Sequence, residues 1–210
     1  MGLEKYKIST KTQEESLTFY NEQNKPIGIV NREEGINRGL LLEGVQLWII
    51  NPETNQVLMQ RRSKNKKNNP NKIDVSVSGH VDTNETATQA MLREASEEIG
   101  LTDSEYLCNK MQKFAENKIN LADYGRQGRY IMHFYLAFLD NPLESYTKQD
   151  SEVEELFFMD YEEVKRRVRN DDQEMLMPKS DEAEMIFSKL DEKIKAKNSQ
   201  IKEEKEKIWE

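Results

Sequence analysis

The sequence predicts an α/β sandwich with a mixed sheet, an N-terminal β-hairpin and a C-terminal helical extension. Residues 45–50 and 56–62 are two neighbouring runs rich in β-branched and apolar side chains, as in core strands. A glycine loop and an amphipathic helix follow within residues 79–101, and residues 181–210 show partial helical periodicity. The 210 residues have room for one sizeable core with terminal extensions.

The N-terminal segment, residues 1–40, is predicted to hold a β-hairpin. Residues 1–15 are polar and lack periodicity, so we expect them to be loosely attached. Two apolar runs, residues 17–20 and 27–30, flank the polar turn 21–26. Two strands alone cannot form a core, so we expect the hairpin to pack on the main domain or on a second subunit.

Residues 41–170 are predicted to form the main domain. Its runs 45–50 and 56–62 are joined by a turn, and we expect them to pair as central strands. Arg61 and Arg62 end the second strand, where alternation sends their side chains to opposite faces. One arginine can therefore reach a bound phosphate, while the other faces solvent or a carboxylate.

A basic, polar loop at residues 63–72 comes next. Its composition favours a solvated loop, and the alternative is a mobile cationic rim that attracts polyphosphates. Residues 73–78 are predicted as a short strand that leads into Gly79.

Three further strands and a short helix complete the predicted main domain. The strands are expected within residues 106–119, 130–138 and 151–159, and the helix at residues 161–168.

The C-terminal extension, residues 171–210, is predicted to be helical. Ile194, Ile201 and Ile208 repeat every seven residues. However, Lys197 and Glu204 lie where the seam of a coiled coil needs apolar side chains. We therefore favour a helix that packs near its start and frays toward its end over an oligomer contact.

Charge and composition exclude several classes of function. A net charge of -8 and a pI of about 5.1 argue against duplex nucleic acid or an anionic membrane as the main partner. The single cysteine, Cys108, excludes an intrachain disulfide and is expected to be a half-buried packing residue. The chain shows no signal peptide and no apolar run of about 18 residues, which indicates a cytoplasmic protein.

The helix within residues 79–101 concentrates three carboxylates. Its apolar residues recur at three- and four-residue steps and predict one buried stripe. These residues are Ala87, Ala90, Met91, Ala95 and Ile99. Glu94, Glu97 and Glu98 share the i, i+3, i+4 spacing, so their side chains project from the other side into a small volume.

Like charges placed so closely repel each other, and a bound cation relieves the repulsion. An all-oxygen cluster suits Mg²⁺ or Mn²⁺ better than zinc, and the alternative is a solvated acidic face. The surroundings favour the metal site. Glu85 lies near the helix start, Arg93 can pair with Glu97 or Glu85, and Gly100 supplies a C-terminal stop.

The complete pattern resembles the Nudix box of the Nudix hydrolase superfamily. It runs from Gly79 through Glu85, Arg93-Glu94 and Glu97-Glu98 to Gly100 and the apolar Leu101, as the sequence shows. The resemblance implies the Nudix α/β/α sandwich. It also implies a hydrolase in which a water activated by divalent metal attacks the pyrophosphate bond of a nucleoside diphosphate linked to another group.

The same resemblance assigns roles around the box. Glu94, Glu97 and Glu98 become metal ligands, with the Gly79 carbonyl as a possible further ligand. Arg93 is expected to orient the glutamates. The catalytic base stays open between Glu98, Glu152 and Glu155.

Substrate contacts are expected outside the box. Arg61, Arg62 and His80 are candidate phosphate or cofactor-binding residues, although a loop-packing role for His80 is equally compatible with its position. His133 lies within an apolar strand and is expected to be a satisfied core residue. Three aromatic residues, for which a core role is favoured, are candidates for stacking on a base or sugar; they are Trp48, Tyr124 and Tyr130. We expect a homodimer or a higher homo-oligomer.

Residues 15–165 resemble the Nudix branch that contains type I isopentenyl-diphosphate isomerase and related hydrolases. The isomerases carry a cysteine directly before the Gly-His pair, whereas Ser78 stands there in this chain, and a hydroxyl is a poor proton donor to carbon. This chain also has only two histidines and an intact box. Hydrolysis is therefore favoured over an isomerase, and over a non-catalytic nucleotide-binding module, since all three box glutamates are present.

Overall fold

The computed structural model describes residues 15–208, which form a mixed nine-stranded sheet with helices packed on both faces. The strands are β1 (Ser16–Tyr20), β2 (Pro26–Asn31), β3 (Leu41–Ile50), β4 (Gln56–Arg62), β5 (Ile73–Asp74), β6 (Val77–His80), β7 (Met111–Asn120), β8 (Arg129–Phe138) and β9 (Val153–Asp160). The helices are α1 (Arg32–Asn37), α2 (Ala87–Ile99), α3 (Ser104–Lys110), α4 (Tyr161–Arg169) and α5 (Asp181–Ile208). Short 3₁₀ turns occupy Leu121–Tyr124 and Leu143–Ser145.

The centre of the sheet is the parallel pair β3 and β8. These strands are in register over their full lengths, from Leu41↔Arg129 to Ile50↔Phe138, and β7 continues the sheet antiparallel to β8. β1 and β2 form the predicted antiparallel hairpin, which joins the sheet through Tyr20↔Leu41. The hairpin thus packs on the main domain of the same chain.

The prediction that residues 45–50 and 56–62 pair as central strands is confirmed only next to their turn. β3 and β4 meet only at Ile50↔Val57, next to their turn. Farther along, β3 pairs with β6 and β8, whereas β4 pairs with β5 and β9. A turn signal predicts a hairpin locally, but here tertiary pairing spreads the two strands apart. Ser76 bridges them, since its hydroxyl accepts a hydrogen bond from the Ile49 backbone N–H at 2.8 Å and donates one to the Leu58 carbonyl at 2.6 Å.

The alternation of side chains along β3 builds two separate cores. Leu47 and Ile49 face α2 and α3, while Trp48 and Ile50 face α4 and α5, and all four side chains are fully buried. Because both faces are covered by helices, β3 has almost no polar residues in its second half. This is the predicted three-layer sandwich.

Residues 104–110 form helix α3, although the sequence pattern predicted strand from residue 106. Asp103 caps the helix by accepting a hydrogen bond from the Tyr106 backbone N–H at 2.9 Å. Leu107 is the residue that α3 buries, and Cys108 is exposed. The expected half-buried packing role of Cys108 is therefore wrong, because the helix turns it about 100° away from Leu107, out of the buried face.

The C-terminal extension is one continuous helix, α5, of 28 residues. Its first half covers the Trp48 face of the sheet with Ala183, Ile186, Phe187 and Leu190, and burial ends at Ile194. Most of the side chains beyond Ile194 are exposed. In the part of the chain from 15 to 208, no helix is long and apolar enough to cross a membrane.

Candidate functional site

Helix α2 is fixed at both ends by local hydrogen bonds. Thr86 and Gln89 form a reciprocal capping box at its start, and Gly100 ends it in the left-handed conformation at φ 72°. One stripe of α2, including Ala90, Met91 and Ala95, is buried against the sheet. The orientation fixed in this way turns Glu94 and Glu98 toward the end of β6, and both side chains are buried.

Arg93 donates hydrogen bonds to several residues of the box. Its Nε donates to Glu85 at 2.8 Å, and its Nη1 donates to Glu94 at 2.6 Å and to Glu97 at 3.2 Å. Its Nη2 donates to the His80 carbonyl at 3.0 Å. Burial acts against the charged form, but the hydrogen bonds and charges of Glu85 and Glu94 raise the pKa of Arg93 further. Arg93 thus holds three carboxylates and the β6 loop in one arrangement.

Glu98 lies in the same cluster, and within the described residues 15–208 it forms no ion pair. Its Oε2 accepts hydrogen bonds from the Gln60 side chain at 2.9 Å and from the Ser78 backbone N–H at 3.2 Å. Burial, followed by the negative charges of Glu94 and Asp74, raises the pKa of Glu98 well above its usual value. A cation placed here would relieve an electrostatic cost that the protein alone leaves uncompensated.

Gly79 must be a glycine for Glu94 to take its position. A Cβ atom built on Gly79 would lie 2.2 Å from Cδ of Glu94. The carboxylate therefore occupies the space that any other residue would fill. Glycine here serves close approach and not an unusual backbone angle.

The donor chemistry of this cluster fits a hard divalent cation. Glu94 and Glu98 offer buried carboxylate oxygens next to the backbone of Gly79. Among residues 15–208, no three acidic, His or Cys side chains already converge as a ligand group. The reason is visible in the pairing, because Glu94 and Glu97 are turned toward Arg93.

The cluster opens into a cavity of about 990 Å³. Arg62 lines this cavity, 3.5 Å from Asp74, to which Ser78 also donates a hydrogen bond of 3.2 Å. His80 lines it as well, with Nδ1 3.4 Å from Glu15 and Nε2 3.5 Å from the Tyr130 hydroxyl. The structure thus brings Arg62 and His80 together with the box glutamates.

Arg61 and Glu155 do not line the cavity. They face each other across β4 and β9, with Nε of Arg61 3.6 Å from Glu155, whose side chain is 59% exposed. This is the outcome of alternation, since Arg62 points inward and Arg61 outward. Glu152 does reach the cavity, where Lys66 binds its carboxylate.

The aromatic candidates divide in the same way. Trp48 is fully buried in the core against Phe187, at 6.2 Å between ring centroids. Tyr124 and Tyr130 line the cavity. His133 lies outside the cavity and is buried, with Nε2 2.5 Å from Glu43 and Nδ1 3.1 Å from Glu116.

Sequence reasoning missed Arg126, which lies in the turn between β7 and β8 and lines the cavity. Its Nη1 donates to the Leu176 carbonyl at 2.6 Å, and its buried Nε has no hydrogen-bond partner in the described part of the chain. Burial lowers the pKa of Arg126, only partly offset by Asp74. Within residues 15–208 it forms no ion pair, unlike Arg62. No local signal marked it, because a turn rich in glycine gave no reason to expect a buried arginine.

Gln46, Gln60 and Glu182 were missed as well. Gln46 and Glu182 line the cavity, and Gln60 holds Glu98. Gln46 and Gln60 stand at polar positions within otherwise apolar strands, which was an available signal. Glu182 lies in α5, far along the chain from the box, so no spacing argument could have linked it to the site.

Comparison with known proteins places these observations in a family. The model of the NUDIX domain matches residues 41–178 of this chain. Nudix hydrolase 3 of Arabidopsis thaliana is 28% identical over 178 residues, which cover 82% of this chain and 21% of that protein. The chain thus spans about one fifth of the length of that relative. Isopentenyl-diphosphate Delta-isomerase 1 of Photorhabdus laumondii is 25% identical over 163 residues, covering 76% of this chain and 87% of that protein, and it supports the resemblance to that branch.

Solved structures support the same fold. A crystal structure of a Deinococcus radiodurans protein superimposes with a TM-score of 0.60 at 22% identity, covering 83% of this chain and 98% of that one. The NUDIX domain of Shewanella oneidensis NrtR, crystallised with ADP ribose, gives 0.51 at 14% identity, covering 79% and 98%. At these identities the likeness concerns the fold alone.

Proposed function

The chain belongs to the Nudix family and has the domain of a Nudix pyrophosphohydrolase, and we propose that it cleaves the pyrophosphate bond of a nucleoside diphosphate linked to another group, using Mg²⁺ or Mn²⁺. One observation carries this proposal. Glu98 is buried and surrounded by negative charge, yet its hydrogen-bond partners, Gln60 and Ser78, are neutral. Such a carboxylate is suited to a cation.

The residues of the acidic cluster have distinct roles in this proposal. Glu94, Glu97 and Glu98, with the Gly79 carbonyl, hold the cation, and Arg93 positions the carboxylates. When bound, the ion neutralises charge on the phosphoryl oxygens and lowers the pKa of the water that attacks phosphorus. The proton of that water goes to a carboxylate lining the cavity, and Glu98 and Glu152 are the candidates that the cavity contains.

Four cationic side chains that line the cavity suit the phosphates. They are Arg62, Lys66, Lys67 and Arg126. These cations attract a polyphosphate toward the acidic cluster. The loop at residues 63–72 thereby takes the role of a cationic rim, the alternative to a solvated loop.

We further propose that residues 41–170 form the catalytic domain, between the hairpin segment 1–40 and the helical extension 171–210, and that the chain forms a homodimer or higher homo-oligomer. On the edge strand β2, Ile27 and Ile29 are 58% and 64% exposed, which suits a contact with a second copy. Light scattering during size-exclusion chromatography measures the mass. A monomer at all concentrations would contradict the oligomer.

The first test is a substrate panel with Mg²⁺ or Mn²⁺. It contains nucleoside di- and triphosphates, sugar nucleotides, ADP-ribose, NADH and isopentenyl diphosphate, with products identified by mass spectrometry. We expect nucleoside monophosphate products that disappear with a chelator. Reaction in ¹⁸O-labelled water places one labelled oxygen on a phosphate product, which identifies cleavage at phosphorus. Absence of cleavage of every compound would contradict the proposal and favour a non-catalytic binding module.

The isomerase alternative is tested in the same panel. Ser78 stands at the position of the isomerase cysteine, and its hydroxyl donates a hydrogen bond to Asp74 at 3.2 Å. A serine hydroxyl is a poor proton donor to carbon. We expect isopentenyl diphosphate not to be rearranged. Appearance of its allylic isomer as the only product would reverse the assignment.

A further inference from the structure

Two buried side-chain oxygens in the lining of the cavity are unpaired within residues 15–208. Oε1 of Gln46 and Oε1 of Glu182 have no hydrogen-bond partner within residues 15–208, and both residues line the cavity. Buried polar atoms are nearly always paired in native proteins, so two of them in one lining suggest a missing ligand. Neither residue belongs to the Nudix box.

The strand register gives the spacing between these two residues. β3, β8 and β7 lie side by side, with Gln46 opposite Phe134 and Phe134 opposite Ala115. Glu182 lies over β7, because the side chain of Asn117 hydrogen-bonds its carboxyl group. Asn117 lies two residues beyond Ala115, opposite Met132, so two strand spacings and two residues along β7 separate the backbone positions of Gln46 and Asn117, about 12 Å. A planar heterocycle with a hydrogen bond at each end spans a distance of this order.

The space between the two polar groups is apolar. Met132 and Phe134 of β8 and Ile119 of β7 line it from the sheet, and Ile186 of α5 lines it from the helix layer. A flat ring can lie between these side chains. An apolar slot with a few polar groups is the usual form of a site for a small ring.

The two polar groups can each donate and accept a hydrogen bond. The Gln46 amide carries both functions. Burial raises the pKa of Glu182 to about 7, so near neutral pH both its protonated and its ionised form are present. A hydrocarbon group in this slot would leave both side chains unpaired, whereas the edge of a nucleobase carries both donors and acceptors.

We infer that this slot, between Gln46 and Glu182, is the subsite for the nucleobase of the substrate. The inference rests on the proposed function, since it names what the diphosphate carries. In this arrangement the box glutamates act at the pyrophosphate, while Gln46 and Glu182 contact the base edge. Gln46 lies next to the box loop, because it is paired with Ser78 across β3 and β6.

The test is equilibrium binding in the presence of a chelator, so that it does not depend on hydrolysis. Titration calorimetry compares the four ribonucleoside 5′-monophosphates with ribose 5-phosphate and with isopentenyl phosphate. We expect one or more nucleotides to bind at least about tenfold tighter than ribose 5-phosphate. Gln46→Met and Glu182→Met keep side-chain bulk and remove the polar contact, and each should lower that ratio about tenfold.

The matched control is Glu184→Met, also in the first turn of α5. Glu184 pairs with Arg169 on the surface at 2.8 Å and does not line the cavity. We expect it to bind nucleotides as the unmodified chain does. Thermal unfolding of each variant shows that it remains folded.

Three results would overturn the subsite. They are equal binding of nucleotides and ribose 5-phosphate, tighter binding of isopentenyl phosphate than of any nucleotide, and unchanged ratios in both folded variants. Hydrolysis of the substrate panel is measured separately. Cleavage without base discrimination therefore removes the subsite alone, and base-dependent binding without cleavage removes the hydrolase proposal alone.

Discussion

The two walls of the cavity differ in how their polar groups are paired. In the acidic wall, formed by Gly79, Glu94, Glu97 and Glu98, Arg93 binds Glu94 and Glu97, while Glu98 has no ion pair within residues 15–208. In the opposite wall, formed by residues 119–134 and the start of α5, buried polar atoms lack partners within the described chain. The first wall is nearly complete without a ligand, and the second needs one.

The acidic wall therefore serves the chemical step, and the opposite wall serves the selection of the substrate. The ion pairs of Arg93 hold the carboxylates of the acidic wall close together, and electrostatic catalysis benefits from groups that are fixed in this way. An unpaired opposite wall discriminates between substrates, because it penalises any ligand that cannot pair its polar groups. The predictions that follow test the two walls in turn.

The largest effect is expected for Glu98→Gln. The change keeps the shape and removes the charge, so hydrolysis should fall about 10²–10³-fold. Because burial disfavours the ionised form of Glu98, the midpoint of thermal unfolding should stay the same or rise. Steady-state kinetics and calorimetry measure the two effects. Glu105→Gln, on the first turn of α3, is the control, and undiminished hydrolysis by Glu98→Gln would remove the central role of the acidic wall.

Gly79→Ala should lower kcat about 10- to 100-fold, because Glu94 must leave its position to admit the Cβ atom. The control is Gly39→Ala, where no atom lies within 4 Å of the added Cβ and φ is +64°. That control should lose stability without losing kcat. Equal kcat values for the two variants would show that the position of Glu94 does not matter.

On the opposite wall, Arg126→Gln should raise KM about tenfold and change kcat less, because a phosphate is the natural partner of this guanidinium, whose Nε has no partner within residues 15–208. Arg129→Gln is the matched control, since Arg129 pairs with Glu22 at the surface. We expect KM of the control to remain unchanged. A fall in kcat alone for Arg126→Gln would instead place this arginine in the acidic wall.

The smallest effect concerns pH and Glu182. Burial raises the pKa of this carboxyl from 4.5 to about 7 in the folded chain. Between these values the folded state retains a proton that the unfolded state has lost, so the free energy of unfolding falls as pH rises. Glu182→Gln should remove this part of the pH dependence. The free energy of unfolding of the variant, relative to that of the unmodified chain, should therefore be higher at pH 8 than at pH 4. Urea unfolding at a series of pH values measures it, and parallel curves for the two proteins would contradict the shift.

Local patterns predicted the acidic wall because its members lie within 23 residues. The i, i+3, i+4 spacing of Glu94, Glu97 and Glu98 follows from helix geometry alone, and so does their closeness to Arg93. The hairpin and the C-terminal helix were predicted in the same way, from turn chemistry and periodicity. The pairing of β3 with β4 was predicted but not its limitation to one residue pair, since distant segments of the chain supply the other strand partners.

By itself, the sequence determined the sandwich class, the box and the chemistry that the box favours. Only the tertiary structure decided that Arg62 and not Arg61 faces the cavity, and that Arg126, Gln46 and Glu182 lie along it. The physical reason is the distance along the chain over which each kind of interaction acts. Helical spacing and strand alternation act over a few residues, whereas the opposite wall joins β3, the turn before β8 and the start of α5, which meet only when the sheet and α5 pack together.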